Sequence, residues 1–173
     1  MKFFSFAAIL VALLFSAILI DGILRGTNTE EQKHIIIEAP QAVVSNTLLD
    51  INNYEQWNTF SRTKKISSHT STRLVDYKIG QKIIRVNEKF SVSPDKNHFQ
   101  FTPVDSLPNS FITSFRNIIA LKSLPDGTTQ VSWQTQYAVS TIIGSLINRF
   151  LVQPALKKTL LKNLQSLKSF IER

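Results

Sequence analysis

The sequence contains no cysteine, so disulfides, thiolate nucleophiles and thiolate metal ligands are excluded. Five glycines in 173 residues leave no glycine-rich loop to cradle a phosphate. No P-loop, dinucleotide fingerprint or nucleophile elbow occurs. The three histidines, His34, His69 and His98, lie far apart and at no metal-ligand spacing. They read as exposed strand residues, so no metal and no cofactor is expected. Net charge is +8, which favours anionic partners, but no basic run exceeds two residues, so nucleic acid is not among the expected partners.

What is present begins with a long apolar run. Phe3 to Ile20 contains only Phe, Ser, Ala, Ile, Leu and Val. As a helix rising about 1.5 Å per residue it would just cross a bilayer core. A cleaved signal peptide is the alternative, since Met1 and Lys2 supply a positive start. The run is longer than a usual signal core, however, and Ile18, Leu19, Ile20, Ile23 and Leu24 leave no small-residue cleavage site. The reading is therefore a single N-terminal transmembrane anchor over 1–26, a polar stalk over 27–33 and one domain over 34–173. Lys2 before the span places the N-terminus in the cytoplasm and the domain outside.

Within the domain, residues 34–38 read as a first strand ended by Ala39-Pro40, a good helix start. Val43, Val44, Leu48 and Ile51 mark a helix, and Tyr54 to Phe60 a second short one. Tyr54 and Trp57 read as core aromatics. From Lys64 onward alternation predicts six further strands, 64–69, 73–79, 82–93, 98–104, 111–124 and 128–140, separated by turn residues such as Pro125-Asp126-Gly127. In the last, Val131, Trp133, Thr135, Tyr137 and Val139 face one way and Gln130, Ser132, Gln134 and Gln136 the other. Thr141 to Arg173 is helical, with Leu156, Leu160, Leu161, Leu164, Leu167, Phe170 and Ile171 on one broad side. Pro154 divides it, predicting a kink or restart.

Chemistry is sparse. Glu88 is the one charged residue on the face shared by Ile84, Val86, Phe90 and Val92. Inside an apolar pocket it would be a weak candidate for a catalytic acid or base. The commoner outcome is a bulge that turns such a residue to solvent, or surface pairing with Arg85 or Lys89. Arg116 is able to reach a ligand anion, although a solvent-facing strand residue is the plainer reading.

The order strand, two short helices, six strands, long helix resembles the START-like superfamily, also called SRPBCC or helix-grip, in its polyketide cyclase and lipid transport branch. The residues that carry the resemblance are Ile35-x-Ile37-x-Ala39-Pro40, Val44, Leu48-x-Asp50, Tyr54-x-x-Trp57, Gly80, Asp126-Gly127-Thr128-Thr129-x-Val131-x-Trp133 and Leu164-x-x-Leu167-Lys168. The resemblance implies an α+β fold, a seven-stranded antiparallel sheet gripping the C-terminal helix. It further implies a cavity for a hydrophobic, lipid-like ligand, walled by Val86, Phe90, Phe99, Phe101, Trp133, Tyr137, Phe150, Leu160 and Leu164. Residues 141–152 would be its lid and Pro154 the hinge. A membrane-tethered lipid binder is the leading expectation. A polyketide cyclase-like enzyme using Glu88, or a ligand-free interaction module, is the alternative.

Overall fold

The computed structural model describes residues 16, 28–50, 53–58, 61–66, 72–79, 82–105 and 112–173. Along these run β1 (Asn28–Ile37), α1 (Gln41–Leu49), α2 (Tyr54–Trp57), β2 (Ser61–Ile66), β3 (Thr72–Ile79), β4 (Lys82–Val92), β5 (His98–Pro103), β6 (Ile112–Ser123), β7 (Thr129–Val139), α3 (Ile142–Ile147), a π-helical turn (Asn148–Val152) and α4 (Gln153–Ile171). The strands form one antiparallel sheet in the order β1-β7-β6-β5-β4-β3-β2. Every neighbouring pair but β1–β7 is consecutive in sequence, as hairpins require.

Two of the hairpin turns show why their residues are there. Gly127 sits at φ 82°, a left-handed conformation open to glycine at no steric cost. The Asp126 side chain accepts hydrogen bonds from the backbone N–H and the hydroxyl of Thr128. Between β4 and β5, the Ser93 hydroxyl accepts the N–H groups of Asn97 and His98, while Lys96 takes φ 53°.

Alternation decides the two faces of the sheet. In β7 every odd residue from Thr129 to Val139 is buried and every even one partly exposed. Val75, Phe99, Phe101, Ile119 and Leu121 join that inner face. Helix α4 covers it with Leu156, Leu160, Leu164 and Leu167, a stripe at helical spacing. Fully burying each leucine contributes about 1.5–3 kcal/mol. The stripe is narrower than its sequence indicates: Leu161 is 41% exposed, and Phe170 and Ile171 are half-buried at its edge. Trp57 closes the core, 6.4 Å edge-on from Trp133 and 4.7 Å from Tyr54, so both α2 aromatics are core residues.

Helix α4 runs alongside β1 in the same direction and is clasped to it at both ends. Near its start, Gln153 donates to Glu31 and Lys157 pairs with the same carboxylate at 3.4 Å. At its end, Lys168 donates to the Ile36 carbonyl at 2.9 Å, and Glu172 accepts the Glu38 N–H at 2.6 Å.

Two expectations are corrected and a third, the restart at Pro154, is located more closely. The stretch 27–33 is no stalk from Asn28 onward, because β1 starts there and pairs with β7 as far as Asn28↔Ala138. Its inward residues are polar, Thr29 and Glu31, held by side chains of the helical segment instead of by apolar contact. The second helix ends at Trp57, three residues early, where the Asn58 N–H closes onto the Tyr54 carbonyl. The break in the C-terminal helix lies just before Pro154. The N–H of Gln153 reaches back five residues to the Asn148 carbonyl, and Pro154 has no N–H with which to tighten the turn. The expected span Phe3 to Ile20 lies, Ser16 apart, outside the described residues, as do His69 and Gly80. Among the described residues, no helix is long and apolar enough to cross a membrane.

Candidate functional site

The inner face carries a polar series that alternation alone does not reveal. Asn117, on β6, accepts hydrogen bonds from Trp133 Nε1 at 3.3 Å and from the Thr135 hydroxyl at 2.6 Å. Two residues before the end of β7, the Tyr137 hydroxyl donates to Asn148 Oδ1, and Asn148 Nδ2 donates to the Thr29 hydroxyl at 2.9 Å. Burial holds the Tyr137 phenol above its ordinary value, outweighing its hydrogen bonding with Asn148 and Thr29. This junction ties β1, β7 and the π-helical turn together.

Beside that junction the sheet opens. Strands β5 and β6 pair only from His98↔Ala120 to Phe101↔Asn117. Beyond that point β5 stays with β4, as far as Glu88↔Pro103, while residues 112–116 stay with β7. Pro103 has no N–H with which to continue a ladder to β6, and an irregularity between Ile112 and Ser114 shifts the β6 register. The diverging strands leave a cavity of about 770 Å³. Asn28, Thr29 and Glu30 line it from β1, Thr102 to Asp105 from the end of β5, Thr113 to Arg116 from β6, and Gln136 and Tyr137 from β7. Phe115 and Tyr137 give it apolar surface; Arg116, the carboxylates of Glu30 and Asp105, and the hydroxyls give it polar partners. A cavity of a few hundred Å³ with mixed walls suits a small molecule.

Of the nine residues expected to wall a cavity, Tyr137 lines this one. Phe99, Phe101, Leu160 and Leu164 are at most 2% exposed and packed together in the core, which leaves no ligand surface beside them. Trp133 and Val86 are also buried. Phe90 is half-buried and stacks on Phe101 at 5.0 Å and Phe99 at 6.4 Å. Phe150 is 61% exposed and stands on the outer side of the π-helical turn, so it is no cavity wall.

Glu88 is fully buried between inward Val86 and Phe90, with Arg73 opposite in the register on one side and Pro103 on the other. The expected turn toward solvent does not occur, because β4 pairs regularly with β3 through this point. Arg116 is exposed and lies on the cavity lining. His34 and His98 are exposed, and no group of metal-ligating side chains gathers among the described residues. Sequence reasoning missed Asn148 and Thr29. The signal available was a lone asparagine, next to Arg149, in the largely apolar run Ile142 to Val152.

The model of the family described as polyketide cyclase / dehydrase and lipid transport matches residues 29–172. The chain belongs to this family. Its matched span begins one residue after β1 starts, in agreement with a domain that includes the polar half of that strand. A search of curated proteins finds no match. Among solved structures, the chain is similar to the ZhuI aromatase/cyclase from Streptomyces sp. R1128, at 10% identity and TM-score 0.72, over 84% of this chain and 94% of that one. It is similar to a START superfamily protein from Mycobacterium smegmatis at 14% identity and TM-score 0.63, over 83% and 97%. A conserved protein from Geobacillus kaustophilus matches at 12% identity and TM-score 0.66, over 83% and 95%. At such identities these neighbours show the fold.

Proposed function

We propose that this family member binds a hydrophobic, lipid-like molecule carrying a polar or anionic end, and does so at a membrane in which Phe3 to Ile20 is anchored. The observation that carries the reading is the cavity where β5 and β6 part, with Phe115 and Tyr137 beside Arg116. The apolar body of the ligand would leave water against the rings, at about 25 cal/mol per Å² buried. Its polar end would meet the hydroxyls and the Arg116 guanidinium, with the Glu30 and Asp105 carboxylates on the same lining accepting any donors it carries. The uncharged run Phe3 to Ile20 and the single Lys2 before it support a cytoplasmic N-terminus and a domain on the other side.

Native mass spectrometry of the detergent-extracted full chain tests the binding. A co-purifying lipid-sized adduct is expected, and it should be lost in Phe115→Asp and weakened in Arg116→Ala. A clean apo mass, together with no binding of a fluorescent fatty acid, overturns the reading in favour of a ligand-free interaction module. A reporter fused after Arg173 that is active only in the cytoplasm overturns the orientation. A cyclase reading finds less support, because Glu88 has no exposed surface with which to touch a substrate.

A further inference from the structure

Three exposed apolar side chains from the end of α3 and the π-helical turn sit together at one corner. Phe150 is 61% and Leu151 67% exposed, and Ile147 is 39% exposed one turn earlier. A monomeric domain has no reason to place three large apolar groups side by side in water. Charge frames them. Arg149 lies 5.6 Å from the Phe150 ring centroid, and the helical segment from Thr141 to Ile171 has no acidic residue. Lys158 continues the exposed face about two turns further along the helical segment.

The position of this corner supplies the second argument. Asn148, within the same π-helical turn, donates to Thr29, the second residue of β1. The apolar run Phe3 to Ile20 is joined to β1 by the few residues before Asn28. The start of β1, to which that run is joined in sequence, is therefore beside the turn that carries Phe150 and Leu151. The cavity opens at the same end, since Asn28, Thr29 and Tyr137 line it.

We propose that the Ile147–Leu151 corner is a bilayer-docking surface, which seats the domain on an anionic membrane with the cavity mouth facing the lipid. It rests on the reading that the chain is membrane-tethered, but not on the cavity being loaded. In the docked state Phe150 and Leu151 enter the headgroup and upper acyl region, about 5–10 Å deep, while Arg149 and Lys158 meet lipid phosphates. A ligand would then pass between bilayer and cavity without crossing bulk water.

The absence of native cysteine makes the test direct. Full-length Phe150→Cys is labelled with an environment-sensitive fluorophore and reconstituted into phosphatidylcholine/phosphatidylglycerol vesicles, with and without a nitroxide-bearing lipid. Asp126→Cys, on the turn at the far end of β7, is the control. We expect a blue-shifted label at 150 that lipid nitroxide quenches several-fold more than the label at 126. Equal, water-like emission at both sites overturns the proposal. So does a blue shift that depends on protein concentration in detergent and is insensitive to lipid nitroxide, which would assign the corner to a second copy of the chain. Native mass spectrometry of the same labelled protein separates this from ligand binding. A quenched label on an empty protein keeps the docking surface and removes the ligand reading. A loaded protein with a water-like label does the reverse.

Discussion

Tyr137 donates its phenolic hydrogen to Asn148 over 2.5 Å, and this bond joins the last strand to the helical segment beside the cavity. Replacing Tyr137 by Phe leaves the buried Asn148 oxygen without that donor, at a cost of about 1–3 kcal/mol. The cost is expected to depend on pH. Burial raises the folded phenol above its ordinary 10.0, so the unfolded chain loses this proton first as pH rises. The contribution of Tyr137 is thus whole below the unfolded value and is lost as pH climbs through the raised one. Urea melts of both proteins at about pH 8 and about pH 11 should show the gap between them shrinking at the higher pH; a constant gap would contradict the assignment.

Glu31 and Lys157 should behave unequally although they form one ion pair. The Glu31 side chain is 7% exposed and Lys157 is 47% exposed. Glu31→Ala strips Gln153 and Lys157 of a common acceptor, for about 1–3 kcal/mol. Lys157→Ala removes a solvent-screened partner, for less than about 1 kcal/mol. A double-mutant cycle by chemical denaturation measures both, and equal losses would refute the asymmetry.

Ser45 is buried within α1, and its hydroxyl has no hydrogen-bond partner among the described residues. Ser45→Ala removes that uncompensated polar group and improves helix propensity, so a gain of about 1 kcal/mol is expected. A lowered melting temperature would show that the hydroxyl is satisfied.

Glu88 separates a structural from a catalytic role. Glu88→Ala empties a fully buried site and should cost about 2 kcal/mol or more. Glu88→Gln keeps the volume and should cost less. If Glu88→Gln leaves ligand affinity intact yet abolishes turnover of a candidate substrate, the residue is a catalytic group and the carrier reading must yield.

Pro154 follows the π-helical turn at the start of α4. Pro154→Ala restores an N–H that is able to pull the turn toward α geometry. Stability should shift by less than about 1 kcal/mol, while dissociation of a bound fluorescent fatty acid, followed by stopped flow, should change more. Unchanged exchange with lost stability would make Pro154 a packing residue only.

The sequence was most legible where one chemical signal was enough. Val131, Trp133, Tyr137 and Val139 are buried in strict alternation, and Leu156, Leu160, Leu164 and Leu167 lie on the covered face of α4. It was least legible where inward residues are polar. Thr29 and Glu31 make the first half of β1 look like a linker, because their partners, Asn148, Gln153 and Lys157, lie at the other end of the chain. Glu88 was unreadable for the same reason: a carboxylate's burial depends on tertiary surroundings, not on its strand. The cavity was harder still. It arises from a parting of β5 and β6, a matter of register that side-chain periodicity does not encode. Phe99, Phe101 and Trp133, expected to wall it, instead fill the core.

The pairing of β1 with β7 has a consequence in time as well as space. It is the one contact between strands in the sheet that is not a hairpin, and its register joins Asn28 to Ala138. Hairpins close over short loops and form early; this closure must wait for nearly the whole domain. Helix α4, which seals β1 with Lys168 and Glu172, comes later still. During synthesis, then, the first strand is made first and finished last. Until the C-terminal helix emerges, β1 and the inner face of β7 remain open to wrong partners, and a chain truncated before Gln153 should be held by chaperones instead of accumulating folded.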